Sequence, residues 1–343
     1  MKKILSFDYF ILFLIIFSLA ASSCSRKHTF SLAFYNVENL FDTIDDKQTQ
    51  DDRYLPDSDI PWNTERYNHK LNNLTRVINA IDSVGLPTVI GLSEVENISV
   101  INDLVNHPSI ASAGYHILHQ ECEDERGIDV AMLYRPEEYT PLETHFVKLV
   151  FPFDPNNHTR DILYSKGLTR KKDTVHIFIN HWTSRWGGRE ETEPKRKFTA
   201  DVLKSMTDSI FNLQPEANII IAGDLNDNPN DISIAGNLMA IEPAEPFLDK
   251  KLYNLSIQQY KTGQGTLYYK GWDMFDQIIV STALLTGENG MQATSPDQQI
   301  IKKNWMLYYP DNGEPRPNRT ATNKYHGGFS DHLPVFIKVE LKR

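Results

Sequence analysis

Cysteine is almost absent. Only Cys24 and Cys122 occur in 343 residues, which excludes a disulfide framework and a cysteine zinc site. Cys122 reads as a lone thiol with no catalytic duty. A basic excess is missing too: the net charge is −10. A general nucleic-acid groove gains affinity by replacing counterions with Lys and Arg, so this balance argues against one. The argument is limited, because a cation can neutralise an acidic cluster and whole-chain charge says little about one face. No internal repeat is present. The apolar run Tyr9 to Leu19 falls short of the roughly 20 residues that span a bilayer.

That run is instead part of an export pattern: Lys2 and Lys3, the apolar stretch, then small residues up to Ser23. Cys24 stands where a bacterial lipoprotein is cleaved and acylated. Ala21 holds the position where such signals usually carry a larger aliphatic, so ordinary cleavage near Ala20 is the alternative. The expectation is an exported protein tied to a membrane by lipid on Cys24, periplasmic or at the cell surface, and otherwise secreted. Residues 1–23 are read as the signal, 24–28 as a short tether and 29–343 as one catalytic domain. Losing residues 1–23 removes two lysines and one aspartate, which takes the charge from −10 to −11.

Within the domain, runs rich in Val, Ile and Phe predict strands at Thr29–Tyr35, Thr88–Leu92, Asp129–Tyr134, Val175–Asn180, Asn218–Ala222, Phe275–Val280 and Pro334–Leu341. Many are apolar on both faces. Helical periodicity marks Tyr67–Ser83, with Leu71, Leu74, Val77, Ile78 and Ile81 on one side, and Lys195–Leu213, with Phe198, Val202, Met206 and Ile210 inward. Doubly buried strands alternating with amphipathic helices predict a layered α/β domain. The acidic, proline-containing stretch 42–64 and the stretch 308–326 are read as surface loops.

The strands share a further feature. Asn36 ends the first, Glu94 follows VIGLS, His181 follows HIFIN, Asp224 and Asn226 follow IIIAG, Asp276 opens DQIIVS, and Asp331 and His332 precede the last. Any one of these has an ordinary explanation as a turn residue, a hydrogen-bonded histidine or a surface charge. Their joint recurrence, with compatible chemistry at strand after strand, points to one site, since sheet edges aim side chains from several rigid strands at one point.

In order, YNVENLFD, LSEVEN, NHWTSRWGG, GDLND, WDMFDQIIVS and GGFSDHLPVF resemble the motifs of the endonuclease/exonuclease/phosphatase superfamily. With RGIDVAMLYRP at 126–136 the likeness is to its secreted bacterial members. The resemblance implies a DNase I-like four-layer sandwich, two packed mixed sheets flanked by helices, and Mg²⁺- or Mn²⁺-dependent cleavage of phosphate esters.

Phosphate-ester hydrolysis needs an activated water, an electrophile for the phosphate oxygens and help for the leaving oxygen. Glu94 is expected to ligate the metal, Asn36 to orient that carboxylate or touch the ion, and Asp331 to add a second, direct or water-mediated contact. Glu38 has either a like role or a simple surface one. His332, with Asp276 fixing its tautomer, is the leading candidate to activate water, and Asp224 keeps a share of that role. Asn226 holds a phosphate oxygen, sharing a strand face with Asp224 by the two-residue period. His181 donates to the phosphate or protonates the leaving oxygen. Arg185, and after it Arg126, are candidate phosphate contacts. Asp227 is read as a turn residue, and Lys195, Arg196 and Lys197 as a solvated helix start. Trp182, Trp186, Trp272 and Trp305 either stack bases or pack in the core and loops.

These residues predict an exported metal-dependent phosphodiesterase, in first place a DNase-like nuclease acting on nucleic acid. A phosphomonoesterase, or a phospholipid or sphingomyelin phosphodiesterase, uses the same site. A binding protein without turnover has no need of both histidines.

Overall fold

The computed structural model describes residues 28–342; the signal, Cys24 and most of the tether lie outside the described residues. Every strand read from the sequence is present. One seven-stranded sheet holds β1 (Thr29–Leu40), β2 (Val89–Val95), β3 (His116–His119) and β4 (Asp129–Tyr134) with three later strands named below. The other holds β5 (Tyr139–Val147), β6 (Ile162–Thr169), β7 (Thr174–His181), β8 (Asn218–Asp224), β9 (Ala240–Ile241), β10 (Leu252–Asn254) and β11 (Asp276–Ser281), in the order β5-β6-β7-β8-β11-β10-β9. The chain then returns to the first sheet through β12 (Met291–Ala293), β13 (Gln299–Ile300) and β14 (Val335–Leu341). That sheet runs β12-β14-β1-β2-β4-β3, with β13 also on β14.

Strand composition explains the layering. Phe30, Leu32 and Phe34 of β1 meet Ile177 and Ile179 of β7 and Ile220 and Ala222 of β8 in a core between the sheets. The alternate residues Ala33, Tyr35 and Val37 face outward under α1 (Thr64–Asn79) and α2 (Ile98–Val105). Phe178, Ile219 and Ile221 likewise face α3 (Arg189–Leu213) and the π-helical turn Ile232–Leu238. Both faces of both central sheets are therefore buried, which is why these strands read as continuous apolar runs. The sheets approach closely enough at Gly91 that a Cβ there would lie 2.6 Å from Cδ1 of Ile179.

One helix and several strands differ from expectation. The buried face of α3 is Arg196, Thr199, Ala200, Leu203, Thr207 and Phe211, displaced from the predicted stripe. Val202, Met206 and Ile210 are only partly buried at its edge, and the buried face includes Arg196, described below. The strands β5 and β6 have no counterpart among the predicted runs; in β5 only Tyr139 is buried, the rest being half-buried or exposed, and it contains Pro141, which suits a sheet edge and weakens the apolar signal.

The loop 42–64 is held down rather than loose. The Tyr54 ring stacks on Phe41 at 4.1 Å, and Nε1 of Trp62 donates to the Phe41 carbonyl at 3.0 Å.

Candidate active site

Two parallel pairs, β1–β2 and β7–β8, send their C-terminal ends to one edge of the sandwich, and the antiparallel β11 and β14 begin there. Topology alone thus gathers Asn36, Glu94, His181, Asp224, Asp276 and His332. The register places His181 and Asp276 directly beside Asp224 on either side.

Asp224 is the hub. Its Oδ2 accepts from Nδ2 of Asn36 at 3.0 Å and lies 3.7 Å from Nε2 of His181 and 3.8 Å from Nε2 of His332. Its Oδ1 accepts the Asn226 backbone N–H at 3.0 Å. Nδ1 of His332 meets Oδ2 of Asp276 at 2.7 Å, while Oδ1 of that buried carboxylate has no protein partner among the described residues. The His332 loop is fixed by Ser330, whose hydroxyl donates to the Asn36 carbonyl at 2.7 Å and accepts the His332 N–H at 3.0 Å.

Asn226 reaches the hub by a different route from the predicted one. The strand ends at Asp224, and Asn226 has a left-handed backbone with φ 51°. A turn, not strand alternation, returns the amide, and its Nδ2 donates to the Trp182 carbonyl at 3.1 Å with one hydrogen to spare. Glu38, Asn39 and Glu94 also have positive φ (52°, 53° and 62°), so four non-glycine residues at this edge hold a backbone that side chains disfavour.

Burial decides the charge states. Burial opposes a charge on His332, but the Asp276 carboxylate, and then Asp224, outweigh it and hold the imidazole well above the usual histidine range. Burial, with Arg160 and Arg126 nearby, pushes His181 well below it. Burial lifts Asp224 to about 7, against the pull of His332. One histidine is cationic, the other neutral, and the carboxylate between them is poised near neutrality.

Glu94 Oε2 accepts the Asn39 N–H at 3.0 Å; Oε1 has only Arg126 Nη2 at 3.7 Å and His181 Nε2 at 3.9 Å nearby. With the Asn36 amide beside the same hub, this set suits a hard cation that takes few protein ligands and keeps several waters. No group of three His, Cys, Asp or Glu side chains among the described residues forms a closed cage. Asp331 faces a different partner. Its Oδ2 pairs with Nη2 of Arg319 at 3.0 Å.

Several sequence expectations change here. Arg185 is not directed at a phosphate: its guanidinium binds Asp227 at 2.9 Å, Asp231, and the Asn226 carbonyl. Asp227 is a buried ionic anchor rather than a turn residue, held also by Nε of Arg196 at 2.8 Å, and Arg196 is fully buried instead of solvated. Glu38 is no surface charge; it is buried, accepts from Nε of Arg319 at 2.9 Å and the Thr320 N–H at 2.6 Å, and burial pushes it to about 7. Trp182 is buried, while Trp186 is 91% exposed. Arg126 stays at the site, donating to Oδ1 of Asn39 at 2.7 Å.

The residues that sequence reasoning missed are Lys70, Arg319 and Asn39. Buried Lys70 donates to the Phe329 carbonyl at 2.7 Å and to Thr320, tying α1 to the loop that carries Arg319. Its signal was its place three residues after Tyr67 and four before Leu74, on the apolar face of the helix. Arg319 lies in an irregular loop and had none.

No curated protein matches the sequence significantly. Among solved structures, an endonuclease/exonuclease/phosphatase family protein from Bacteroides thetaiotaomicron superposes with TM-score 0.56 at 13% identity, covering 92% of this chain and 98% of that one. A humanized D. rerio TDP2 gives 0.54 at 14%, covering 91% and 99%. A mannosyl-6-phosphatase from Bacteroides thetaiotaomicron VPI-5482 gives 0.55 at 13%, covering 90% and 99%. At such identities these likenesses establish the sandwich fold. The sequence itself matches the Endonuclease/Exonuclease/phosphatase family over residues 31–341, whose members are phosphoric ester hydrolases, typically dependent on a divalent metal. The chain belongs to the endonuclease/exonuclease/phosphatase family.

Proposed function

We propose that this protein is an exported, divalent-metal-dependent hydrolase of phosphate esters. The observation that carries the reading is the position of Asp224 between a neutral and a cationic imidazole, 3.7 and 3.8 Å away. In the proposed reaction a bond forms from water oxygen to phosphorus as the bond to the leaving oxygen breaks. Asp224, lifted to about 7, accepts the proton of the attacking water, a role for which such a pKa is well matched. This gives Asp224 the larger part of the base function expected of His332. His332, held cationic by Asp276, donates hydrogen bonds toward the phosphate oxygens, and neutral His181 donates a hydrogen bond to the leaving oxygen, which takes its proton from solvent water while the proton on Asp224 returns to solvent. Asn226 binds a non-bridging oxygen through its remaining amide hydrogen, and Arg126 adds a cation. Glu94 and Asn36 would hold Mg²⁺ or Mn²⁺, which supplies Lewis-acid stabilisation of the developing charge.

The expectation of a polynucleotide rested on the pair His181 and His332, with Arg185 as a supporting phosphate contact, and that arginine is committed to Asp227 and Asp231. We therefore place small phosphate esters ahead of nucleic acid. A nuclease is the second reading, favoured by the exposed indole of Trp186, a surface on which a base can stack. Lipid attachment at Cys24 belongs to the same proposal, since it places the site outside the cytoplasm.

The test is an assay of EDTA-treated protein, with and without Mg²⁺ or Mn²⁺, on bis(4-nitrophenyl) phosphate, 4-nitrophenyl phosphate and single-stranded DNA. Metal-restored hydrolysis is expected; full turnover in metal-free protein would overturn the metal, and no turnover of any ester would overturn the function.

A further inference from the structure

Beside the catalytic edge lies a groove of about 840 Å³, formed where the loop 52–62 faces the loop 319–323, with Trp186 at its margin. It joins the site through Asn39, whose N–H binds Glu94 and whose side-chain oxygen receives Arg126. A smaller cavity of about 470 Å³, between the end of α1 and the strands β13 and β14, shares no residue with the site.

The groove has an uneven distribution of charge and of hydrogen-bonding groups. Arg126 stands at its head, where the phosphate is proposed to bind. Beyond it, Arg319 is already paired with Glu38 and Asp331, and Arg53 donates to the Thr322 carbonyl at 3.4 Å. The carboxylates of Asp52 and Asp59 line the same wall and make no ion pair among the described residues. A second phosphate placed here would meet two carboxylates, with the exposed guanidinium of Arg53 as the one lining cation that makes no ion pair among the described residues, and a polynucleotide needs a succession of such cations. The rest of the lining sets the hydroxyl and amide groups of Ser58, Thr322 and Asn323 among the apolar surfaces of Tyr54, Ile60, Trp62 and Ala321. Aspartates and asparagines accept hydrogen bonds from alcohols, and hydroxyls both donate and accept. Trp186 follows Ser184 and Arg185 and precedes Gly187 and Gly188, whose φ values of 92° and 124° suit glycine. The indole is left 91% exposed while Arg185, its neighbour, is anchored, which leaves a flat apolar surface at the groove mouth.

From these observations, and resting on the phosphate-ester reading above, we infer that the groove is a subsite for the leaving group and that this group is an uncharged polyhydroxylated ring, so that the substrate is a sugar phosphate carrying one phosphate. The carboxylates and amides bind hydroxyls, Trp186 covers the apolar face of the ring, and Arg126 marks the boundary with the phosphate.

The metal-loaded full chain tests this with glucose 6-phosphate, mannose 6-phosphate, propyl phosphate and a single-stranded DNA oligonucleotide. Propyl phosphate has a similar primary-alcohol leaving group without the ring. Expected is a kcat/KM for at least one sugar phosphate that is tenfold or more above that for propyl phosphate. In Asp59→Asn and Trp186→Ala, this ratio should fall about tenfold, mainly through KM. The binding arm uses Trp fluorescence of metal-free protein titrated with the same sugar phosphates, where saturable quenching in wild type and its loss in Trp186→Phe are expected. A ratio near one, or a ratio that neither variant changes, overturns the subsite. Preferred cleavage of the oligonucleotide, strengthened by Asp59→Asn, overturns it in favour of nucleic acid. If no ester is hydrolysed, the catalytic reading fails, while saturable sugar-phosphate quenching would still support the subsite and its absence would sink that too.

Discussion

Nδ1 of His332 lies 2.7 Å from Oδ2 of Asp276, a fully buried carboxylate fifty-six residues earlier in the chain. The contact leaves Nε2 of the imidazole turned to Asp224 and makes Asp276 the residue that fixes both the orientation and the charge of the ring.

Changing His332→Ala should lower kcat by about 10²-fold or more, as loss of a positioned proton donor does, with the circular dichroism spectrum unchanged. Asp276→Asn should have a comparable effect for a different reason. It removes the nearest charge that holds His332 above the usual range, so the His332 pKa should fall in an NMR titration of the imidazole protons. An unmoved pKa would remove Asp276 from that role.

Arg185→Ala distinguishes an anchor from a phosphate contact. Because Arg185 binds Asp227 and Asp231 in a partly buried setting, the variant should lose about 2–3 kcal/mol in urea unfolding, the scale of hydrogen bonds to charged groups. Should any DNA binding be measurable, its salt dependence should be the same as wild type. A slope reduced by about one counterion would instead return Arg185 to the phosphate.

Lys70→Met should destabilise the fold by about 1.5–3 kcal/mol, since the Phe329 carbonyl and the Thr320 hydroxyl lose a buried charged donor and Glu38, still paired with Arg319, loses a second cation near it. Lys70 stands against the loop carrying Arg319, and Glu38, bound to the same loop, acts on it electrostatically. Combining Lys70→Met with Glu38→Gln should recover part of the loss. A double variant no more stable than Lys70→Met alone would show that the two charges are uncoupled.

His176 gives a pH dependence away from the site. It is buried, bonds the Tyr164 hydroxyl at 2.8 Å, and burial, with Lys166 adding to it, lowers its pKa from 6.5 to about 4. Between these values the unfolded chain holds a proton that the folded chain does not, so folding stability should decline as pH falls from 6.5 toward 4. The contribution is at most about 3 kcal/mol, from 1.36 kcal/mol per pKa unit. His176→Gln should flatten that part of the stability–pH curve; an unchanged curve would assign the acid sensitivity to other groups.

The layering and the location of the chemistry were both legible in the order of residues. The run IIIA at 219–222 in β8 is apolar at every position, which only burial on both faces satisfies, and polar residues recur where such strands end. The same order could show that Asp224 and Asn226 belong together, but not how. Folding settled that through a left-handed turn at Asn226, a conformation no local periodicity encodes. It also settled which charges are available. Arg185, Arg196 and Glu38 look alike in sequence to the solvated residues around them, yet each is held by partners that are distant in the chain: Arg185 and Arg196 by Asp227, and Glu38 by Arg319. The charge states of His181 and His332 were equally hidden, because the same imidazole is neutral or cationic according to whether guanidinium groups or carboxylates surround it once water is excluded.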